Sequence, residues 1–201
     1  MKKNRIDEQE LSDVEIWNLF RSGSDSAFDY IYQTYFDKLY NYGCQFTQDQ
    51  SLVEDTLQDL FIELKLRCGH LSQTDKILPY LYSAFRRKII RFRAKQSRFK
   101  ALDSEDLFPI IAGADEFIIN NEEERENHLR LQKALDELPE NYREIIYLFY
   151  YENLSYEEIR SIQGFINVKS ARNLLYKAVN TLGKRIILLL LALCIPRLRW
   201  I

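Results

Sequence analysis

Glycine and proline are scarce in this chain, six and four of 201 residues, and no run of alternating apolar residues bounded by turn residues occurs in it. Strand-rich folds need that punctuation and that period-two pattern, so an all-helical fold is expected. Histidine is rarer still, with two residues, which leaves a histidine-based catalytic centre poorly supplied. The cysteines stop at three, Cys44, Cys68 and Cys194, odd in number and far apart. That is neither a disulfide framework nor a metal pattern, and Cys68 with His70 is too small a ligand set for zinc. They read as buried free thiols in a reducing compartment. A nucleophile-base motif and a phosphate-cradling glycine loop are missing as well, so no enzyme activity, cofactor or metal is expected. No apolar segment follows the charged start MKKNRIDEQE, as a signal peptide would require, and the chain reads as cytoplasmic. Its long apolar run, Ile186 to Ile195, spans ~15 Å as a helix, about half a bilayer core. A transmembrane segment is therefore not expected; the run reads as a continued helix packed on a partner or on its own domain.

What the chain has in quantity is apolar and aromatic residues, 46% hydrophobic with 13 Tyr and 12 Phe, ample for folded cores. The net charge of -2 conceals an uneven distribution. From Arg86 to Lys100 eight basic residues (Arg86, Arg87, Lys88, Arg91, Arg93, Lys95, Arg98, Lys100) occur without an acid. After Glu158 there is no acidic residue, while Arg160, Lys169, Arg172, Lys177, Lys184, Arg185, Arg197 and Arg199 follow. Two basic zones separated by an acidic stretch point to polyanion contact.

Helical periodicity runs from Asp13 to about Cys44, with a break at Ser22, Gly23 and Ser24 that predicts a short helix and a longer one. The next helix, about Gln50 to Cys68, has a wide inner face of Leu52, Val53, Thr56, Leu57, Leu60, Phe61 and Leu64. Glu54, Asp55, Gln58, Asp59 and Glu63 form an acidic ridge opposite it, which suits either solvent or a basic partner. Pro79 is expected to open a further helix, where Tyr80, Phe85 and Phe92 alternate with Arg and Lys. Rings on which bases stack, beside cations that track a backbone, are what a single-stranded nucleic-acid surface needs. From Leu102 to about Asn127 the period is lost among acids, a Pro and an Ala-Gly-Ala, which predicts a linker.

Leu138 to Leu182 reads as three helices. The first follows Pro139. The second starts at Ser155, with Glu158 completing a capping box. Gly164 ends it, and Asn167 caps the third. That third helix carries Val168, Ala171, Leu175, Ala178 and Leu182 on one stripe and leaves Lys169, Ser170, Arg172, Asn173, Tyr176 and Lys177 outside. A short capped helix, a glycine turn and a helix with a basic, amide-bearing outer face is what a duplex-reading helix-turn-helix requires; an ordinary three-helix core with a solvated face fits the same pattern.

The order D-x-x-Q-D-x-F (Asp55, Gln58, Asp59, Phe61), Tyr80-Leu81-Tyr82 leading into a basic helix, a linker, then LPENYREI, LSYEEI and VKSARNLLYKA resembles an extracytoplasmic-function sigma factor of the sigma-70 family. The likeness covers about residues 13 to 182. It implies two small helical domains: an extension (1–12), a region 2-like domain (13–100), an acidic linker (101–126), a region 4-like helix-turn-helix domain (127–185) and an apolar tail (186–201). It implies a promoter-specificity subunit of bacterial core RNA polymerase, with Asp55, Gln58 and Asp59 on the polymerase. Arg86, Arg87, Lys88 and Arg91 would meet single-stranded minus-ten DNA, and Lys169, Ser170, Arg172, Asn173, Tyr176 and Lys177 duplex minus-thirty-five DNA. An anti-sigma factor is expected to cover the basic surfaces. The chain departs from the family pattern in Arg86-Arg87-Lys88, in Arg91, and in the turn Gly164-Phe165-Ile166-Asn167, which is one residue long for the motif. The rival readings are a free-standing helix-turn-helix regulator and a membrane-surface adaptor held by the tail.

Overall fold

The computed structural model describes residues 11–99 and 122–194, and all the regular elements among them are helices. The chain divides into two compact units, the first built on residues up to Asp103 and the second on those after it, with Ser161–Gly164 grouped with the first. The expected linker lies outside the described residues as far as residue 121.

In the first unit, α1 (Asp13–Arg21) opens on a capping box in which Ser12 and Glu15 satisfy each other's backbone donors. The Ser22–Ser24 break follows as predicted, with Gly23 at φ +93°, and leads into α2 (Asp25–Cys44). Next come α3 (Gln50–Leu66), one 3-10 turn (Cys68–His70) and α4 (Ile77–Phe99). Helices α2, α3 and α4 pack on one another, and α1 lies against α2 and α4. Trp17, Leu39, Tyr42, Leu57, Tyr82 and Phe85 are fully buried among them, and each such side chain contributes roughly 1.5–3 kcal/mol or more by leaving water. The Trp17 indole N–H donates to the Ser72 carbonyl at 2.9 Å, so this buried donor has its acceptor.

Pro79 does not open α4. The helix begins two residues earlier, at Ile77, whose N–H donates to Asp13 Oδ2 at 2.8 Å. The cap is thus supplied by α1, and a proline in the first turn removes no intrahelical hydrogen bond.

The rest of the described chain forms α5 (Glu122–Asp136), α6 (Glu140–Ile146), a π turn (Tyr147–Tyr151), α7 (Tyr156–Gln163) and α8 (Val168–Cys194), all in the second unit but the last three residues of α7. Helix α8 packs on α6 and α5. Buried Ala171 and Ala178 keep its inner face narrow, and Ile145, Ile146 and Leu148 are buried with them. Arg143 is 1% exposed and donates through Nη1 to the carbonyls of Asp136, at 2.8 Å, and Leu138. The first is the last carbonyl of α5, which the helix itself cannot satisfy, and the second lies two residues beyond it. The apolar run continues α8 as one helix to Cys194, and no helix among the described residues is long and apolar enough to cross a membrane.

Candidate nucleic-acid interface

In the first unit the C-terminal part of α3, the segment after it and α4 from Tyr80 to Arg91 line an open cavity of about 260 Å³. Arg87, Lys88 and Arg91, three of the four residues expected on single-stranded DNA, line it together with Arg67 and the half-buried Tyr80. Arg86 is half-buried and does not line it. Arg87 donates to Ser83 Oγ, one turn back, at 2.7 Å. Desolvation of the phenol pushes Tyr80 up from the ordinary tyrosine range, and its ring packs at 4.7 Å from that of Trp17.

Glu63 also lines this cavity. It takes an ion pair from Lys88 at 2.8 Å and another from Arg67 at 2.9 Å. The hydrogen bond from Lys88, and then that from Arg67, hold its carboxyl below the usual range. The sequence places Glu63 on the acidic ridge, whereas the fold turns it toward α4. Its pairing with Arg67 at i,i+4 was a readable signal; its pairing with Lys88 depends on helix packing.

The rest of the ridge stays outward. Glu54, Asp55, Gln58 and Asp59 are exposed. Asp55, Asp59, Ile62 and Leu66 follow one another at helical spacing, and Ile62 and Leu66 are 57% and 78% exposed. The acidic stripe therefore continues into an apolar one that the sequence reading passed over.

The turn between α7 and α8 is built as its residues require. Ser155 and Glu158 exchange hydrogen bonds of 2.6–3.3 Å. Gly164 has φ +72°, a conformation that favours glycine. The Asn167 side-chain oxygen accepts from the Ser170 N–H at 2.9 Å and from its hydroxyl at 3.0 Å. Ser170 is thereby engaged in the cap, and it is half-buried. Lys169, Arg172, Asn173, Tyr176 and Lys177 are exposed along the outer side of α8, with Tyr176 at 71%. The first turn of α8 holds no acid, so the positive end of its dipole is uncompensated.

Two aromatic residues absent from the expected site support this face. The Arg172 guanidinium lies 5.3 Å from the Tyr156 ring centroid, and Phe149 stacks on Tyr156 at 5.1 Å. Tyr156 lies within the LSYEEI motif, but its pairing with Arg172 is a tertiary contact. Ile166, in the turn, is 95% exposed.

Residues 31–99 match the family pattern described as Sigma-70 region 2, and residues 128–182 that described as Sigma-70, region 4. The chain is similar to the ECF RNA polymerase sigma factor SigM of Bacillus subtilis (strain 168), with 27% identity over 150 residues, 75% of this chain and 89% of the relative. In fold it is similar to the sigma factor RpoE of Bartonella quintana, solved in complex with the anti-sigma factor NepR. The TM-score is 0.57 at 18% identity, over 79% of this chain and 95% of that one. It is likewise similar to CnrH, solved in complex with the cytosolic domain of CnrY. Here the TM-score is 0.57 at 17% identity, over 86% of this chain and 95% of that one.

Proposed function

The chain belongs to the sigma-70 family, in its extracytoplasmic-function group, and from that premise we infer how its surfaces divide the work of directing core RNA polymerase to promoters. The observation that carries the division is the convergence of Arg87, Lys88 and Arg91 with Tyr80 on one cavity of the first unit. Cations that track a backbone beside a ring that stacks a base suit an unstacked minus-ten strand. Binding the strand in that state shifts the duplex toward the open form, so opening needs differential affinity and no hydrolysis. The subunit is accordingly a binding factor and not an enzyme, and it works in the cytoplasm with core polymerase.

Lys169, Arg172, Asn173, Tyr176 and Lys177 read the minus-thirty-five duplex, with Ser170 holding the start of the reading helix through Asn167. Asp55, Gln58 and Asp59 dock on core polymerase, and the exposed Ile62 and Leu66 add apolar area to that contact. A free-standing operator-binding regulator would leave both the cavity and this stripe without a role. Both structural relatives were solved with a partner chain, one of them named an anti-sigma factor. Two separately exposed cationic faces need the same restraint, so an anti-sigma protein is the expected inhibitor here.

Size-exclusion chromatography with cognate core polymerase tests the docking assignment. The wild-type chain is expected to co-elute, and a variant with Asp55→Lys and Asp59→Lys is expected to elute alone with an unchanged melting temperature. Co-elution of both proteins would remove the acidic stripe from the interface.

A further inference from the structure

We propose that Ile166 reads the methyl group of a thymine in the duplex promoter element and so sets part of this chain's sequence preference. The proposal rests on the assignment of α7 and α8 to promoter reading. Ile166 is 95% exposed, against 78% for Leu66 and 71% for Tyr176. Keeping a branched aliphatic side chain in water forgoes the gain from burying it, which a contact made only in the complex would recover.

The backbone on either side of Ile166 is fixed. Gly164 reverses the chain at φ +72°. The Phe165 N–H donates to the Arg160 carbonyl at 2.9 Å, and Asn167 caps α8 through Ser170 at 2.9 Å. Ile166 is therefore presented by a braced turn, and its branched Cβ restricts it to few rotamers, so little freedom is lost on contact.

Its location selects the ligand. Ile166 stands two residues before Val168, the first residue of α8, and the N-terminal residues of a recognition helix are those that reach base edges. The exposed neighbours Lys169, Arg172 and Asn173 offer cations and an amide. In the major groove the feature that an apolar side chain recognises is the thymine C5 methyl.

The test uses the full chain bound to core polymerase and duplex promoters that this holoenzyme enriches from a randomised library. Each thymine of the upstream element is replaced in turn by uracil, which removes the methyl and keeps every hydrogen-bonding group. At one position the replacement is expected to weaken wild-type binding about fourfold, the worth of one buried methyl. Ile166→Ala should bind thymine DNA weaker by a similar factor and be indifferent to uracil there. As the side chain is exposed, its melting temperature should match wild type.

Wild-type binding that ignores every uracil replacement would overturn the proposal, as would an enriched element without thymine. A loss in Ile166→Ala that is equal on thymine and uracil DNA would move the contact to the sugar-phosphate backbone or to a protein, and would overturn it as well. A holoenzyme that enriches no sequence would sink the promoter reading of α8 itself, an outcome distinct from selective binding that is blind to the methyl.

Discussion

Replacing Glu63 with glutamine tests whether the cavity of the first unit receives phosphates. Glu63 holds Lys88 at 2.8 Å and Arg67 at 2.9 Å, so one of the two positive charges on the cavity wall is offset before any nucleic acid arrives. Glutamine preserves the shape and removes the charge, freeing one further positive charge for phosphate. On a single strand each neutralised phosphate changes the slope of log K against log salt by about -0.7, so the one charge that the substitution releases changes it by about -0.7. Between about 50 and about 200 mM salt the variant should then lose about 2.6-fold more affinity than wild type. Fluorescence anisotropy of a labelled minus-ten strand, titrated with the polymerase-bound chain across a salt series, measures both slopes. Parallel lines would refute the idea that phosphates reach Lys88 and Arg67. The pH dependence has a definite sign. The Lys88 and Arg67 hydrogen bonds hold the Glu63 carboxyl below its usual range. The pairing is therefore complete above the ordinary carboxylate pKa and is lost only as pH falls through that depressed value. Wild-type slopes at about pH 7.5 and about pH 5.5 should agree, because both lie above the ordinary glutamate pKa.

Arg172→Ala should cost about 1–3 kcal/mol in promoter binding and relax preference at one upstream position; a transcription panel of promoter mutants that leaves preference unchanged would remove Arg172 from base reading. Gly43→Ala should destabilise the first unit by about 1–3 kcal/mol through overpacking. A Cβ there would meet Val53 Cγ1 at 2.6 Å and Phe85 Cζ at 2.8 Å, both buried. Chemical denaturation measures this, and an unchanged midpoint would mean that α2, α3 and α4 yield at this point more readily than close packing implies.

What the sequence revealed of the fold was local. Ser155 and Glu158 lie three residues apart and make the capping box that their types predict; Gly164 and Asn167 end and begin helices for reasons confined to their own turns. Where a partner comes from far along the chain, the reading failed. Ile77 starts α4 because Asp13, 64 residues earlier, receives its N–H. Glu63 leaves the acidic ridge because Lys88 comes from another helix. Tyr147 to Tyr151 form a π turn, in which the Glu152 N–H reaches the Tyr147 carbonyl at 3.2 Å; neither capping residue nor apolar period announces a wider turn. The stripe Lys169, Arg172, Asn173 and Tyr176 was legible because one helix defines it, whereas Tyr156 beneath Arg172 was not.

Several of the cations assigned to DNA are already engaged within the protein: Lys88 on Glu63, Arg87 on Ser83, Arg172 over Tyr156. A side chain so held loses less freedom on binding, which lowers the cost of ordering it against a strand. It must also exchange an internal partner for a phosphate or a base, and an exposed ion pair contributes only about 0–1 kcal/mol to begin with. The net gain per contact is therefore small, and discrimination falls to geometry: which groups line one cavity, and which residues one turn presents. That balance suits a subunit that must select promoters and then release them, since strong, indiscriminate attraction to phosphate would hold polymerase on any DNA.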